Sequence, residues 1–143
     1  MTDQTGRGST IIFLCVANSA RSQMAEGIAR AMAPPGWRIF SAGSNPAVVH
    51  PFAVEVLREK GLDIGDYRAK GLDSVPLDEA DYIVTLCAEE VCPIVKGAAK
   101  RLHWPLPDPV GQGDMIRHQL ESFRSTRDEI ARRLKEFWAQ HGG

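Results

Sequence analysis

Ile11-Ile12-Phe13-Leu14-Cys15-Val16-Ala17-Asn18-Ser19-Ala20-Arg21-Ser22 begins with four consecutive apolar residues and ends in small and polar ones. A short continuous apolar run predicts a strand buried on both faces, as in a parallel sheet. Met24 to Met32 follows, rich in alanine and other good helix formers, and Pro34-Pro35-Gly36 stops it. The segment therefore reads strand, loop, helix. A loop in that position can turn several backbone N–H groups towards one point, and the helix N-terminus adds its own unpaired N–H groups and partial positive charge. Val16, Ala17, Asn18, Ser19, Ala20, Arg21 and Ser22 are thus read as a cradle for a tetrahedral oxyanion. Arg21 can add a bidentate, charge-assisted contact. The same field favours a thiolate at Cys15. Ser22 is suited to donate a hydrogen bond to that sulfur, and Asn18 to brace the loop through its backbone. The plainer reading makes Cys15 a small buried hydrophobe and Arg21 a solvated helix end. The strand before and the helix after favour the cradle.

The pattern continues outward from this segment. Trp37 to Ser41 reads as a second strand closed by Gly43, and Pro51 to Lys60 as a helix with Pro51 in its first turn and Gly61 past its end. Asp81 to Leu86, DYIVTL, is the next buried strand, and Arg101 to Leu106 holds a short fourth one limited by Pro105. Ile116, Leu120, Phe123, Ile130, Leu134 and Phe137 follow steps of four, three, seven, four and three. That spacing puts them on one helix face, with Arg124, Arg127, Asp128, Arg132 and Lys135 mostly on others. Strands alternating with helices predict an open parallel α/β sheet, in which ligands bind beyond the carboxyl ends of the strands.

The bulk numbers are compatible with this and exclude little else. A chain of 143 residues suits one domain. The net charge of −1, from 17 basic and 18 acidic residues, gives no reason to expect nucleic acid or an anionic membrane as partner. No apolar run reaches the roughly 20 residues that span a bilayer. Met1 to Thr10 is polar and reads as a flexible lead-in, residues 1–10, to a domain over 11–141. A cytoplasmic location follows as an expectation. Three cysteines is an odd count that fits a redox or nucleophilic role better than a structural framework. Cys87 ends the DYIVTL strand as Cys15 ends the first, and parallel strands place both ends on one edge. Cys92 follows five positions later, near enough for a local disulfide if the segment bends. Asp108-Pro109 is weak as a motif, but its place after a strand end puts it near the same edge.

CVANSARSQMAEG resembles the signature loop shared by low-molecular-weight phosphatases and thioredoxin-coupled arsenate reductases. SAGSNPA, HPFAVEVLREKGLDI, VTLC, HWPLPDP and FRSTRDEI resemble the same family in the same order, from about Ile11 to Phe137. The resemblance implies an α/β fold with a four-stranded parallel sheet and helices on both faces. It also implies chemistry. Cys15 attacks arsenate held by Arg21 and the loop, a position that phosphate or sulfate can also occupy. Asp108 acts as general acid. Cys87 then attacks Cys15, Cys92 attacks Cys87, and thioredoxin resets the chain. The stretch between Cys87 and Cys92 is shorter than in familiar relatives, so a glutaredoxin or low-molecular-weight thiol is the alternative reductant. Some relatives bind potassium through positions that match Asn18, Glu26 and Ser41. The fourth is Lys70, whose ammonium can stand in for the cation, so no metal and no cofactor are expected. A monomer is expected as well.

Two rivals remain at this stage. Phosphotyrosine phosphatases of this fold carry aromatic residues after the Asp-Pro, whereas Val110-Gly111-Gln112-Gly113 follows here. A binding module would hold zinc through Cys87, Cys92 and His103, but the spacing is irregular and no fourth ligand follows. His103 reads as packing near Trp104. His50, His118 and His141 read as surface or capping residues with no catalytic role.

Overall fold

The computed structural model describes residues 9–88, 97–111 and 115–141. Its centre is β1 (Thr10–Cys15), fully buried along its length as the apolar run requires. On one side it pairs with β2 (Arg38–Gly43) and on the other with β3 (Tyr82–Thr85), which in turn pairs with β4 (Lys100–His103). The order is β2-β1-β3-β4 and every pairing is parallel. All four carboxyl ends therefore open onto one edge.

Alternation along β1 sorts the core. Ile11 and Phe13 pack with residues of α1 (Arg21–Met32), α2 (Pro51–Arg58) and α3 (Ile116–His141). Ile12 and Leu14 face the other side, with Val75 and Ile83, beneath Leu72 and Leu77 of two 3-10 helices, Leu72–Ser74 and Leu77–Glu79. Helical layers so cover both faces, long ones on one side and single turns on the other. Each fully buried aliphatic side chain in these clusters is worth about 1.5–3 kcal/mol over exposure. No helix among the described residues is long and apolar enough to cross a membrane.

Three local readings shift. β4 runs Lys100–His103 rather than from Arg101 to Leu106. Pro105 has no N–H for the ladder, yet the chain stays beside β3, with Trp104 N donating to Thr85 O and Leu106 N to Leu86 O. Thr10, read as lead-in, is the first residue of β1. β3 closes at Thr85, so Cys87, read as the end of that strand, lies two residues past it, and His103 pairs through Nδ1 with Thr85 Oγ1 at 2.8 Å.

α3 buries Phe123, Ile130, Leu134 and Phe137 as its spacing predicts, whereas Ile116, its first residue, is 66% exposed. Arg127, assigned to another face, is buried. Its guanidinium donates to Val56 O at 2.9 Å and Glu59 Oε1 at 2.8 Å, and reaches Asp128. Arg124 grips the same Glu59 through Nε and Nη2. This arginine pair ties the end of α2 to α3. Hydrogen bonds from Arg124 and then Arg127 lower the Glu59 carboxyl from the ordinary 4.5 to about 2. A depressed carboxyl contributes stability that is present above its unfolded value and lost as pH falls through its folded one. The melting temperature of the wild type should therefore fall between pH 4.5 and 2 more steeply than that of Glu59→Gln, which should melt lower at neutral pH. Parallel melting curves over that window in thermal melts would remove Glu59 from the acid response.

Candidate active site

Cys15 is the last residue of β1, and α1 begins at Arg21, so five residues make the turn between them. The turn is shaped by where its carbonyls go. Asn45 N donates to Val16 O, Ala47 N to Ala17 O and His50 N to Ser19 O, while Gln23 Nε2 takes Asn18 O. In a trans peptide the N–H points opposite to the C=O. Carbonyls drawn outwards thus aim the N–H groups of Ala17, Asn18, Ser19 and Ala20 inwards. The start of α1 adds to this. Its N-cap is Ala20, with no side-chain cap and no acidic residue in the first turn. A helix start left without a cap keeps its donors and its partial positive charge for a ligand.

Asn18 holds the turn open from beneath. It is the only non-glycine with positive φ (48°) among the described residues, a conformation that asparagine tolerates better than most. Its Nδ2 donates to Ser22 Oγ at 2.8 Å and Ser41 Oγ at 3.0 Å, and its Oδ1 accepts from Lys70 N and Gln23 Nε2. Ser22 Oγ lies 2.9 Å from Cys15 Sγ. Gly43 must be small, because a Cβ there would lie 2.4 Å from Val16 O and 2.8 Å from Asn18 N. Gly43→Ala should therefore push the loop out of shape, at a cost of about 1–3 kcal/mol. Inorganic phosphate should bind it about tenfold more weakly, the factor that corresponds to roughly 1.4 kcal/mol. Unchanged phosphate affinity by titration calorimetry would show that the loop yields freely.

Cys15, Val16, Ala17, Ser19, Ala20, Arg21, His50, Asp108 and Val110 line one cavity of ≈ 310 Å³. Arg21 is 5% exposed, and its Nη1 donates to Leu106 O at 2.9 Å and Leu86 O at 3.3 Å. These carbonyls belong to the ends of the β4 and β3 paths, so sheet topology aims the guanidinium. Its Nη2 lies 3.8 Å from Asp108 Oδ2, while Asp108 Oδ1 accepts from Val110 N at 3.0 Å. Asp108 is half-exposed, at the mouth of the cavity.

Cys87 is a buried free thiol like Cys15. Leu14 registers with Thr85, and Leu86 N donates to Leu14 O, so Cys87 follows directly after the residue beside Cys15. The carbonyl just before it, Leu86 O, is one of the two that Arg21 holds. Cys92 lies outside the described residues, so its predicted pairing with Cys87 does too.

Asn18, Glu26, Ser41 and Lys70 do assemble. Ser41 Oγ donates to the buried Glu26 Oε1 at 2.6 Å, and Lys70 Nζ lies 3.6 Å from that oxygen. Among the described residues, no group of three or more His, Cys, Asp or Glu is placed to hold a metal ion. His50 is the residue that the sequence reading undervalued. It caps α2, as a capping residue would, but it also forms part of the cavity wall. The HP pair before an apolar helix signals the cap; nothing local signals the wall, which arises because Ser19 O binds His50 N.

Known proteins share this chain's sequence pattern and fold. The family described as low molecular weight phosphotyrosine protein phosphatase matches residues 10–141. An arsenate reductase of Brevibacillus brevis is 42% identical over 130 residues, 90% of this chain and 92% of that one. The crystal structure of an arsenate reductase from Archaeoglobus fulgidus superimposes with a TM-score of 0.78 at 31% identity, covering 91% of this chain and 99% of the other. A thioredoxin-dependent arsenate reductase of Corynebacterium glutamicum does so with a TM-score of 0.72 at 30% identity, covering 93% of this chain and 61% of that one. Sequence and fold agree across nearly the whole length, and the chain belongs to the low molecular weight phosphotyrosine protein phosphatase family, on its arsenate reductase branch.

Proposed function

We propose that this chain reduces arsenate to arsenite, with Cys15 as nucleophile and Cys87 and Cys92 as the thiols that carry the oxidation away. The observation that carries the reading is a second buried thiol, Cys87, directly after the residue beside Cys15, with Arg21 holding the Leu86 carbonyl just before it. Hydrolysis of a phosphate ester needs Cys15, Arg21 and Asp108 alone. Reduction must also supply two electrons to arsenic, which a pair of thiols does by becoming a disulfide.

Arsenate sits in the loop with its oxygens on the N–H groups of Ala17 to Ala20 and on Arg21, where charge-assisted hydrogen bonds are strongest. The Cys15 thiolate attacks arsenic(V), and an As–O bond breaks. Asp108 supplies a proton to the departing oxygen, which leaves as water. The Cys87 thiolate next attacks Cys15 Sγ. The S–As bond breaks, its electron pair stays on arsenic, arsenic(V) becomes arsenic(III), and arsenite leaves. The Cys15–Cys87 disulfide is then opened by Cys92, which frees Cys15 and leaves Cys87–Cys92. An external dithiol restores both thiols. Thioredoxin is our choice, supported by the thioredoxin-dependent relative from Corynebacterium glutamicum.

The working unit is residues 10–141, preceded by a lead-in, and the chain acts in the cytoplasm as a monomer. Potassium is not required, because the Lys70 ammonium lies beside Glu26. Among the described residues the cavity wall has Val110 and His50 but no Phe, Tyr or Trp to flank a phosphotyrosine ring, which favours reduction over phosphatase activity. The test is arsenate-dependent NADPH oxidation with thioredoxin and thioredoxin reductase. Turnover supports the reading. Inactivity there, with aryl phosphate hydrolysis that needs Cys15 but neither later cysteine, would establish a phosphatase instead.

A further inference from the structure

His50 takes no part in the mechanism above, yet it stands in the wall of the anion cavity with Cys15, Arg21 and Asp108. Three contacts fix it there. Its backbone N donates to Ser19 O at 2.9 Å, which locks it to the loop. Its Nδ1 accepts from Phe52 N at 3.0 Å, which caps α2. Its ring packs against Phe123 at 4.8 Å and Phe52 at 5.2 Å between centroids. An Nδ1 that accepts a backbone N–H carries no proton. The ring proton of the neutral imidazole is then on Nε2, which has no hydrogen-bond partner among the described residues.

We propose that His50 is a further oxyanion-binding residue of this cavity, a neutral imidazole that donates its Nε2–H to the bound tetrahedral anion. The inference rests on the anion-binding reading of the cavity given above. Burial pushes the imidazole pKa down, against the Asp108 carboxylate, which raises it. The neutral form suits the site. An imidazolium would have to give up the Phe52 N–H as its partner, and it would pair with Asp108, which must keep a proton to give to the leaving oxygen. A neutral donor adds a hydrogen bond to the anion and leaves Asp108 available.

Asparagine and glutamine separate the two roles of the ring. Asparagine places its Oδ1 near the position of Nδ1, so it keeps the cap and loses the outer donor; it is also among the best N-cap residues. Glutamine reaches the position of Nε2 with its amide but gives up the cap. Inorganic phosphate is titrated into the reduced full chain by calorimetry, and KM and kcat for arsenate are measured alongside melting temperatures. His50→Asn should weaken phosphate binding and raise the arsenate KM about tenfold, the scale of one lost hydrogen bond, while melting above His50→Gln because it keeps the cap. His50→Gln should keep phosphate affinity near that of the wild type while melting lower. Equal phosphate affinity in wild type and His50→Asn would overturn the proposal. So would a loss confined to His50→Gln, which would trace binding to the cap and not to the donor. A wild type that binds no phosphate would remove the anion cavity itself, a failure distinct from either of these.

Discussion

Cys15→Ser is expected to lower arsenate turnover by about 10⁴-fold or more, the scale seen when a nucleophile is removed from a catalytic unit. The loss has two independent causes. A serine hydroxyl is far less acidic than a thiol, so the attacking anion is scarce at neutral pH. Oxygen also cannot form the disulfide whose formation supplies two electrons to arsenic. The fold should hardly notice. Cys15 is 3% exposed, its sulfur lies against Ser22 Oγ, and a hydroxyl can keep that contact. A melting temperature within about 3 °C of the wild type, some 1 kcal/mol for a domain of this size, is expected. Phosphate should still bind, because the loop amides and Arg21 are untouched. Appreciable turnover by Cys15→Ser in the thioredoxin-coupled assay would move the nucleophile elsewhere.

The second large effect is selective. Cys87→Ser should lose steady-state arsenate turnover about 10³-fold or more, because the Cys15–arsenic adduct has no thiol to resolve it. Aryl phosphate hydrolysis, whatever its level in the wild type, should survive, because water can resolve a phosphocysteine without Cys87. This split separates a resolving thiol from a packing residue. Cys87 is 1% exposed, so a purely structural role predicts that stability and both activities fall together. Rates on both substrates, set beside a melting curve, distinguish the two cases.

Much of this was legible from the residues, and the reasons differ by element. The four apolar residues Ile11 to Leu14 can sit only in a strand covered on both faces, and small polar residues after them force a turn. The cradle followed from that local syntax. α3 was legible because its buried positions repeat at helical spacing, but the same pattern misplaced Ile116 and Arg127. Periodicity assigns a face and says nothing about where a helix end projects or whether a guanidinium is neutralised. Arg127 is buried because Glu59, Asp128 and the Val56 carbonyl meet it there. His50, Lys70 and Gln23 belong to the site for similar reasons. Each is tied to Asn18 or Ser19 by a backbone or side-chain hydrogen bond, His50 and Lys70 from distant segments, and pairings of that kind leave no periodic trace. Cys87 was legible as lying at the sheet's carboxyl edge, although β3 closes two residues before it. Its position directly after the residue beside Cys15 depended on register, which the two sequences alone do not specify.

The central claim is that one chain reduces one arsenate and carries the oxidation from Cys15 to Cys87 and onward. A single-turnover experiment without any external reductant tests it most directly. Fully reduced wild type, mixed with a stoichiometric amount of arsenate, should yield one arsenite per chain, and peptide mapping should find Cys87 joined to Cys92 with Cys15 free. Cys92→Ser should yield the same arsenite with Cys15 joined to Cys87. Arsenate recovered unchanged, with all three thiols still free, would contradict the account.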